Sequence, residues 1–340
     1  MRTDVNTLGE FGLIKRLTDS HTLQNRSSVK GVGDDAALIR NGEMLTVVST
    51  DFLVEGIHFD LAYTPLKHLG YKAVAVNVSD IAAMNAVCQQ ITVSIAFSNR
   101  FSVEALDELY AGVYAACAKY KVDLVGGDTT SSPRGLYISV TAIGQVAEGK
   151  AVQRNGAKAG DFLCVSGHLG SAYLGLQILE REKHVWAGNP DMQPELEGHE
   201  HVVGALLKPE ARTDMIARFA EFGVLPTAMM DISDGLASEI FHICKQSKVG
   251  ALVEEAQIPI HEAAYELASL TFQLDPTMCA MNGGEDYELL FTVNPKDLET
   301  IRMMPSVYII GEITPESEGI KMHSKGKRLY DIEAQGWVHF

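Results

Sequence analysis

The sequence predicts an α/β chain of the α+β type with two domains, residues 1–150 and 151–340. Apolar runs typical of strands alternate with helical patterns along the whole chain. The 340 residues, 46% of them apolar, are enough for one large domain or two ordinary ones. The stretch RNGAKAGD (154–161) is rich in turn residues and has no periodicity, so we expect the domain boundary near it.

The first half begins with a hairpin pattern. Two apolar runs within residues 36–50 flank Asn41-Gly42, which predicts a tight turn. A rather apolar helix is expected over residues 66–86, and a strand over residues 91–97 (ITVSIAF).

An amphipathic helix is predicted over residues 102–119, with Ser102 as its N-cap. The side chains expected to share one face are those of Val103, Leu106, Tyr110, Val113, Tyr114 and Cys117. The runs VDLVGG and LYISVTAIGQV follow as predicted strands.

The second half opens with a predicted strand, FLCVSG (162–167), and a helix that starts within HLGSAYLGLQILE (168–180). Residues 184–200 are polar and rich in Pro and Gly, which predicts an exposed loop. Pro209 is well placed to open the next helix. Strand and helix patterns continue to about residue 313.

Composition and charge exclude several classes of protein. The formal net charge of −16 disfavours a nucleic-acid partner, because nucleic-acid binders are more often basic. Five scattered cysteines without a C-x-x-C pair indicate reduced thiols. The N-terminal stretch does not resemble a signal peptide, and no segment approaches the ~18–20 apolar residues of a membrane span. We therefore expect a cytoplasmic protein with no membrane partner.

Carboxylates recur beside glycines and small residues at the ends of apolar runs. The motifs are GVGDDA (31–36), VVSTDF (47–52), NVSDIAA (77–83), LVGGDTT (124–130), MDISDG (230–235) and NGGEDYEL (282–289). Each alone could hold an ordinary N-cap or turn residue. Six in similar settings favour a shared chemical cause.

Asp80 is the most informative of these acids. It lies in the apolar segment VAVNVSDIAAM, and no Lys or Arg occurs between Lys72 and Arg100. Because an unpaired buried carboxylate is costly, a metal ion is favoured, and a neutral or hydrogen-bonded structural Asp is the alternative. Strand alternation would point Ser49 and Asp51 in the same direction. Oxygen ligands without a His/Cys cluster favour several Mg²⁺ ions that meet a polyphosphate, and disfavour zinc.

The phosphate partner leaves a weaker pattern. Neither a P-loop nor the protein-kinase motifs occur. In LVGGDTT, glycine backbone could approach a phosphate while Asp128 held its metal. Arg154 could bind an anion or could be an ordinary solvated arginine. The GVGDDA stretch also matches a dinucleotide-binding fingerprint, but no strand pattern precedes it and a hairpin pattern follows it, which disfavours that interpretation.

In their order along nearly the whole chain, the motifs resemble the thiamine-monophosphate kinase family. The matching stretches are GEFGLIKRL, GVGDDAAL, STDFLVEGIHF, YKAVAVNVSDIAAMNA, LVGGDTT, RNGAKAGD, MDISDGLASEI, NGGEDYELLFT and the terminal GWVHF. The resemblance implies an aminoimidazole ribonucleotide synthetase-like ATP-binding fold and a homodimer joined through the N-terminal sheets. It also implies Mg²⁺-assisted transfer of the ATP γ-phosphoryl group to thiamine phosphate.

The resemblance implies roles for residues at matching positions. The metal positions are Asp35, Ser49, Thr50, Asp51, Asp80, Asp128, Asp231 and Asp234, and Asp51, Asp80 and Asp128 are expected to be catalytic. Nucleotide positions fall on Tyr110, Gly127, Asp128, Arg154 and Ser233, and thiamine-phosphate positions fall on His58, Glu285 and Trp337. The spacing of Tyr110 equally suits a core residue. Asp34 does not align with the main ligand position but could support the metal ligands indirectly, and residues 184–200 receive no role.

Rival functions make different demands on the sequence. A selenophosphate synthetase would be expected to carry a reactive cysteine near its start, where this chain first has Cys88, and a related hydrogenase maturation factor would end in cysteine rather than Phe340. A calcium-binding protein would space its acids as D-x-D-x-D-G, which DISDG matches only in part. An aminoimidazole ribonucleotide synthetase-like enzyme and a metal-dependent phosphate hydrolase are the alternatives.

Overall fold

The computed structural model describes residues 8–333. They contain ten α-helices and thirteen strands, and the strands form two sheets. The helices are α1 (Gly9–Thr18), α2 (Leu66–Ala83), α3 (Val103–Tyr120), α4 (Ser171–Gly188), α5 (Glu200–Leu207), α6 (Thr213–Phe222), α7 (Leu236–Ser247), α8 (Glu262–Glu266), α9 (Pro276–Asn282) and α10 (Leu298–Arg302). The strands are β1 (Ser28–Lys30), β2 (Ala37–Asn41), β3 (Met44–Val54), β4 (Val87–Phe97), β5 (Asp123–Ser131), β6 (Leu136–Ala147), β7 (Phe162–Ser166), β8 (Ala228–Asp231), β9 (Val249–Glu254), β10 (Leu289–Val293), β11 (Val307–Pro315), β12 (Ile320–His323) and β13 (Leu329–Asp331).

The first sheet has the strand order β1-β2-β3-β6-β4-β5, and only the β4/β5 pair is parallel. Along β6, buried and half-buried residues alternate, because one face of the sheet packs on the core and the other does not. The β2/β3 hairpin is present, but its register pairs Asn41 with Met44. The turn is therefore Gly42-Glu43, one position later than predicted.

Two glycines set the packing of α2 on α3. A Cβ atom at Gly70 would overlap the Leu109 carbonyl oxygen, and one at Gly112 would overlap the Lys67 carbonyl oxygen. This close approach determines which face of α3 is buried, namely Leu109, Gly112, Val113 and Ala116. The predicted face was therefore partly wrong, since Val103 and Tyr114 are exposed. The Ser102 N-cap is confirmed, because its hydroxyl accepts a hydrogen bond from the Ala105 N–H.

The second sheet has the strand order β13-β12-β9-β11-β7-β10-β8 and is antiparallel except for β12/β9. Helix α7 covers it with Leu236, Ile240 and Ile243, which are fully buried in the main core of this half. Residues 267–272 form a turn of π-helix between α8 and α9.

Two predictions for the second half need correction. The predicted loop 184–200 is shorter, because α4 continues to Gly188. Pro209 opens no helix, since α6 begins only at Thr213. The Ala211 N–H donates to the Tyr120 hydroxyl at 3.0 Å, so the backbone of this link binds the first half instead of forming a helical turn.

Helix α2 joins the two halves. Its residues 69–83 are buried apart from the half-buried Asp80, which explains an apolar pattern on all sides. Near its end, Ala82 and Ala83 pack into one cluster with Phe219 and Met229 of the second half. Asp80 is thereby held at the junction of the two sheets. Among the described helices, none is long and apolar enough to cross a membrane.

Candidate active site

A cavity of about 1200 Å³ lies at this junction and is lined by residues of both halves. Its floor is a cluster of three carboxylates. Asp35 follows the glycine turn before β2, Asp80 projects from α2, and Asp231 ends β8. One oxygen from each lies within 4.8 Å of the others. Residues far apart in the sequence are therefore brought to one point.

Two serines orient this cluster. The Ser49 hydroxyl donates to Asp80 Oδ2 at 2.5 Å, and the Ser79 hydroxyl donates to Asp231 Oδ2 at 2.5 Å. Both serines are buried, so their hydrogen bonds hold the carboxylates in fixed orientations.

The cluster carries more negative charge than its protein partners neutralise. Burial raises the pKa of Asp35 to about 7 although Arg154 opposes this, and burial raises the pKa of Asp231 to about 6. Desolvation and the neighbouring Asp51 raise the pKa of Asp80 well above its usual value. Asp35 Oδ2 is buried without a hydrogen-bond partner in the described part of the chain. Converging carboxylate oxygens of this kind fit a hard divalent cation such as Mg²⁺.

Strand β3 adds Asp51 to the same wall. The Asp51 N–H donates to Asn77 Oδ1 at 3.0 Å, and Asn77 is itself held by the Ala73 carbonyl. Burial and then Glu285 raise the pKa of Asp51 to about 6. Ser49 is buried and Thr50 is exposed, as strand alternation predicts, and the Thr50 hydroxyl binds β6 through the Val140 carbonyl.

The two adjacent acids of GVGDDA have different partners. Asp35 Oδ1 accepts hydrogen bonds from Arg154 Nε at 3.1 Å and Nη2 at 2.6 Å. Asp34 Oδ1 accepts from the Arg154 backbone N–H at 3.1 Å, and its other oxygen lies 3.3 Å from Lys30 Nζ. Asp34 thus fastens the turn while Asp35 faces the cavity. The alternative of a solvated arginine was wrong for Arg154, whose side chain is 16% exposed.

The residues expected at the thiamine-phosphate positions line the same cavity where they are described. Glu285 has a φ of +61°, donates its N–H to the Ser233 carbonyl at 2.7 Å, and forms an ion pair with Lys72. His58 Nδ1 accepts from the Val54 N–H at 3.0 Å. Ser233 and Asp234 also line the cavity, whereas Trp337 lies outside the described residues.

Sequence reasoning missed Glu239, which is buried and also lines the cavity. Its Oε1 accepts from the Asp234 N–H at 2.9 Å, while its Oε2 has no hydrogen-bond partner within residues 8–333. Burial raises its pKa well above the usual value. The sequence did carry a signal for this residue. Glu239 is an acidic residue one helical turn after Leu236, on the apolar face of α7.

Three expected site residues are not brought into this cavity. Gly127 and Asp128 lie on the exposed edge strand β5. Tyr110 lies on α3, where its ring contacts Tyr114 edge-on at a centroid distance of 6.0 Å and packs partly on the core. None of the three lines the cavity of its own chain.

Comparison with known proteins assigns the family. The N-terminal domain of AIR synthase related proteins matches residues 33–146, and their C-terminal domain matches residues 158–323. A thiamine-monophosphate kinase of Buchnera aphidicola (subspecies Schizaphis graminum) is 35% identical over 97% of this chain and 98% of its own length. The chain belongs to the thiamine-monophosphate kinase family. The resemblance on which this was expected is confirmed.

Other members of the family agree in sequence and in structure. The Bacillus subtilis thiamine-monophosphate kinase is 32% identical over 98% of this chain and all of its own length. A solved structure described as "AaThiL complexed with AMPPCP and TMP" superposes with a TM-score of 0.83 at 29% identity, and each chain is covered completely. The predicted two-domain AIR synthase-like fold is therefore confirmed.

Proposed function

We propose that the chain transfers the γ-phosphoryl group of ATP to thiamine phosphate, which yields thiamine diphosphate and ADP. The carboxylate cluster of Asp35, Asp80 and Asp231 at the floor of the cavity carries this proposal. The cavity volume of about 1200 Å³ exceeds the ~300–1,000 Å³ usual for one small ligand, which suits two phosphorylated ligands side by side. The structural relative described as complexed with AMPPCP and TMP supports the same pair of substrate classes.

The metal that this reaction implies is Mg²⁺, in several ions. The residues that would hold it are Asp35, Ser49, Thr50, Asp51, Asp80, Asp231 and Asp234, with Asp128. Unsatisfied carboxylate oxygens and raised pKa values are what a site for hard cations presents before it binds them. When bound, Mg²⁺ would neutralise the phosphate oxygens of ATP.

The residues around the cluster have a limited chemical task. The acceptor is a phosphate with a second pKa of about 6, so its oxygen is largely ionised near neutral pH and needs no general base. The transfer is then direct and in-line, without a protein nucleophile. Arg154 and Ser233 would hold the nucleotide, while His58 and Glu285 would position thiamine phosphate. Positioning and charge neutralisation account for most of the catalysis in phosphoryl transfers of this type.

We also propose that two copies of the chain form a homodimer through the first sheet. The face of this sheet opposite α2 carries exposed Phe52, whose ring stacks on Tyr137 at a centroid distance of 6.0 Å. Residues 1–150 would then supply the dimer face, and residues 151–340 would complete the substrate site. Asp128 and its neighbours, remote from their own cavity, would contribute to the site of the partner.

Mixing inactive Asp128→Ala and Asp80→Ala chains should then restore part of the activity, whereas separate sites would leave the mixture inactive.

A cytoplasmic location is part of the proposal, and the five reduced cysteines support it.

The decisive assay supplies the protein with ATP labelled at the γ-phosphate, Mg²⁺ and thiamine phosphate. Labelled thiamine diphosphate should appear together with an equal amount of ADP. Release of labelled inorganic phosphate at the same rate without thiamine phosphate would identify a hydrolase instead. Absence of both products, with turnover of an aminoimidazole ribonucleotide precursor, would move the assignment to the synthetase-like alternative.

A further inference from the structure

Helix α2 presents a line of three residues to the cavity. Lys72, Val76 and Asp80 recur every four positions, so they share one face, and all three line the cavity. At 1.5 Å per residue, Lys72 and Asp80 are separated by roughly 12 Å along the helix. One end of this line belongs to the carboxylate cluster, and the other end carries a cation.

Packing does not account for Lys72. Its residue exposure is 3%, and Lys72 and Asp80 are the only charged residues in the buried stretch 69–83. A buried ammonium group is costly unless it is paired, and an apolar side chain of similar length would fill the space at lower cost. The Lys72 ammonium forms an ion pair with Glu285, whose backbone is held by the Ser233 carbonyl.

The other long cations of the cavity wall are more fully engaged. Arg154 donates two hydrogen bonds to Asp35. Lys183 lies 2.8 Å from a carboxylate oxygen of Asp60 and 3.3 Å from one of Glu180. Within residues 8–333, Lys72 forms an ion pair with one carboxylate oxygen, whereas an ammonium group carries three donors. Its remaining donors can therefore bind a second anion in the cavity.

We propose that Lys72 binds the phosphate of the acceptor substrate and that Glu285 holds its ammonium group in place. This inference rests on the proposed phosphoryl transfer. An acceptor oxygen forms a bond to the γ-phosphorus of ATP while the bond from that phosphorus to the β–γ bridging oxygen breaks, and ADP leaves with the electron pair. Lys72 keeps its proton throughout and offsets the repulsion between the two phosphates and Glu285. A compact ammonium charge suits this contact with a phosphate group.

The test compares the binding of thiamine phosphate and of unphosphorylated thiamine by isothermal titration calorimetry. Lys72→Met should weaken the binding of thiamine phosphate about ten- to hundredfold, the effect of losing one charge-assisted hydrogen bond. Thiamine should bind the variant and the wild type within about twofold of each other. Lys183→Met removes the same charge from the same wall and is the matched control, with thiamine-phosphate binding expected within about threefold of wild type. Equal binding of thiamine phosphate by Lys72→Met and wild type would overturn the proposal.

A double variant separates a phosphate contact from a purely structural ion pair. Lys72→Met combined with Glu285→Gln leaves no unpaired charge at this pair, so its melting temperature should lie above that of Glu285→Gln alone, in which the buried Lys72 ammonium has lost its partner. If Lys72 only balances Glu285, the double variant will bind thiamine phosphate as Glu285→Gln does. We expect it to bind about ten- to hundredfold more weakly. Failure of the wild type itself to bind thiamine phosphate would instead refute the proposed function.

Discussion

Replacing Asp80 with asparagine should stabilise the metal-free protein while it abolishes stabilisation by Mg²⁺. Asparagine has the same shape and can still accept the hydrogen bond from the Ser49 hydroxyl. The change removes one negative charge from a cluster whose oxygens lie within 4.8 Å of one another. A residue needed for metal binding would then be unfavourable for the fold without metal.

The size of the effect follows from the geometry. Two full charges 4.8 Å apart repel by roughly 3.5 kcal/mol at an effective dielectric constant of about 20. Asp80 has two such neighbours, Asp35 and Asp231, but the Arg154 guanidinium offsets part of the charge of Asp35, and the Ser79 hydroxyl donates to Asp231. We therefore expect a gain of about 2–4 kcal/mol in the free energy of unfolding at pH 8.

Urea unfolding in EDTA, followed by circular dichroism, measures this gain. Asp161→Asn is the control, because Asp161 is a buried aspartate outside the cluster that accepts hydrogen bonds from the Lys158 N–H and the Thr227 hydroxyl. That control should lose about 1–2 kcal/mol. The reasoning fails if Asp80→Asn is less stable than the wild type in EDTA, or if Mg²⁺ stabilises both to the same extent.

Three further predictions follow from the site and the core. Without metal, the stability of the fold should rise as the pH falls from about 8 to about 5. In this range the folded protein takes up protons at Asp35 (pKa about 7) and at Asp51 and Asp231 (pKa about 6). The unfolded chain does not take them up, because its aspartates have ordinary pKa values near 3.8. Melting temperatures in EDTA across this range check the sign, and a melting temperature that rises with pH would contradict it. Asp51→Ala should lower turnover by a factor on the order of 10²–10³ with unchanged circular dichroism; near-normal turnover at saturating Mg²⁺ would remove Asp51 from the site. Gly112→Ala should lower the free energy of unfolding in urea by about 1–3 kcal/mol, because its Cβ would overlap the Lys67 carbonyl oxygen. Gly204→Ala on α5 is the control and should not destabilise the protein, because the space around Gly204 is open. Equal stability of both variants would refute the close-packing argument.

Local patterns predicted much of the secondary structure, because the rules that produce them act over a few residues. The Ser102 cap, the apolar helix α2 and the alternation along β3 all follow from such rules. The errors arose where a distant contact decided the outcome. The link around Pro209 is irregular because Tyr120, far away in the sequence, binds its backbone.

The sequence by itself determined the family and predicted that acids on separate segments share one chemistry, since an apolar context makes an unpaired carboxylate such as Asp80 costly without a cation. Only the tertiary structure decided which acids meet. It joined Asp35, Asp80 and Asp231, gave Asp34 a structural partner, and added Glu239. The physical reason is that the burial of a carboxylate and its distance from other charges depend on the three-dimensional packing. Here the packing of α2 between the two sheets sets both.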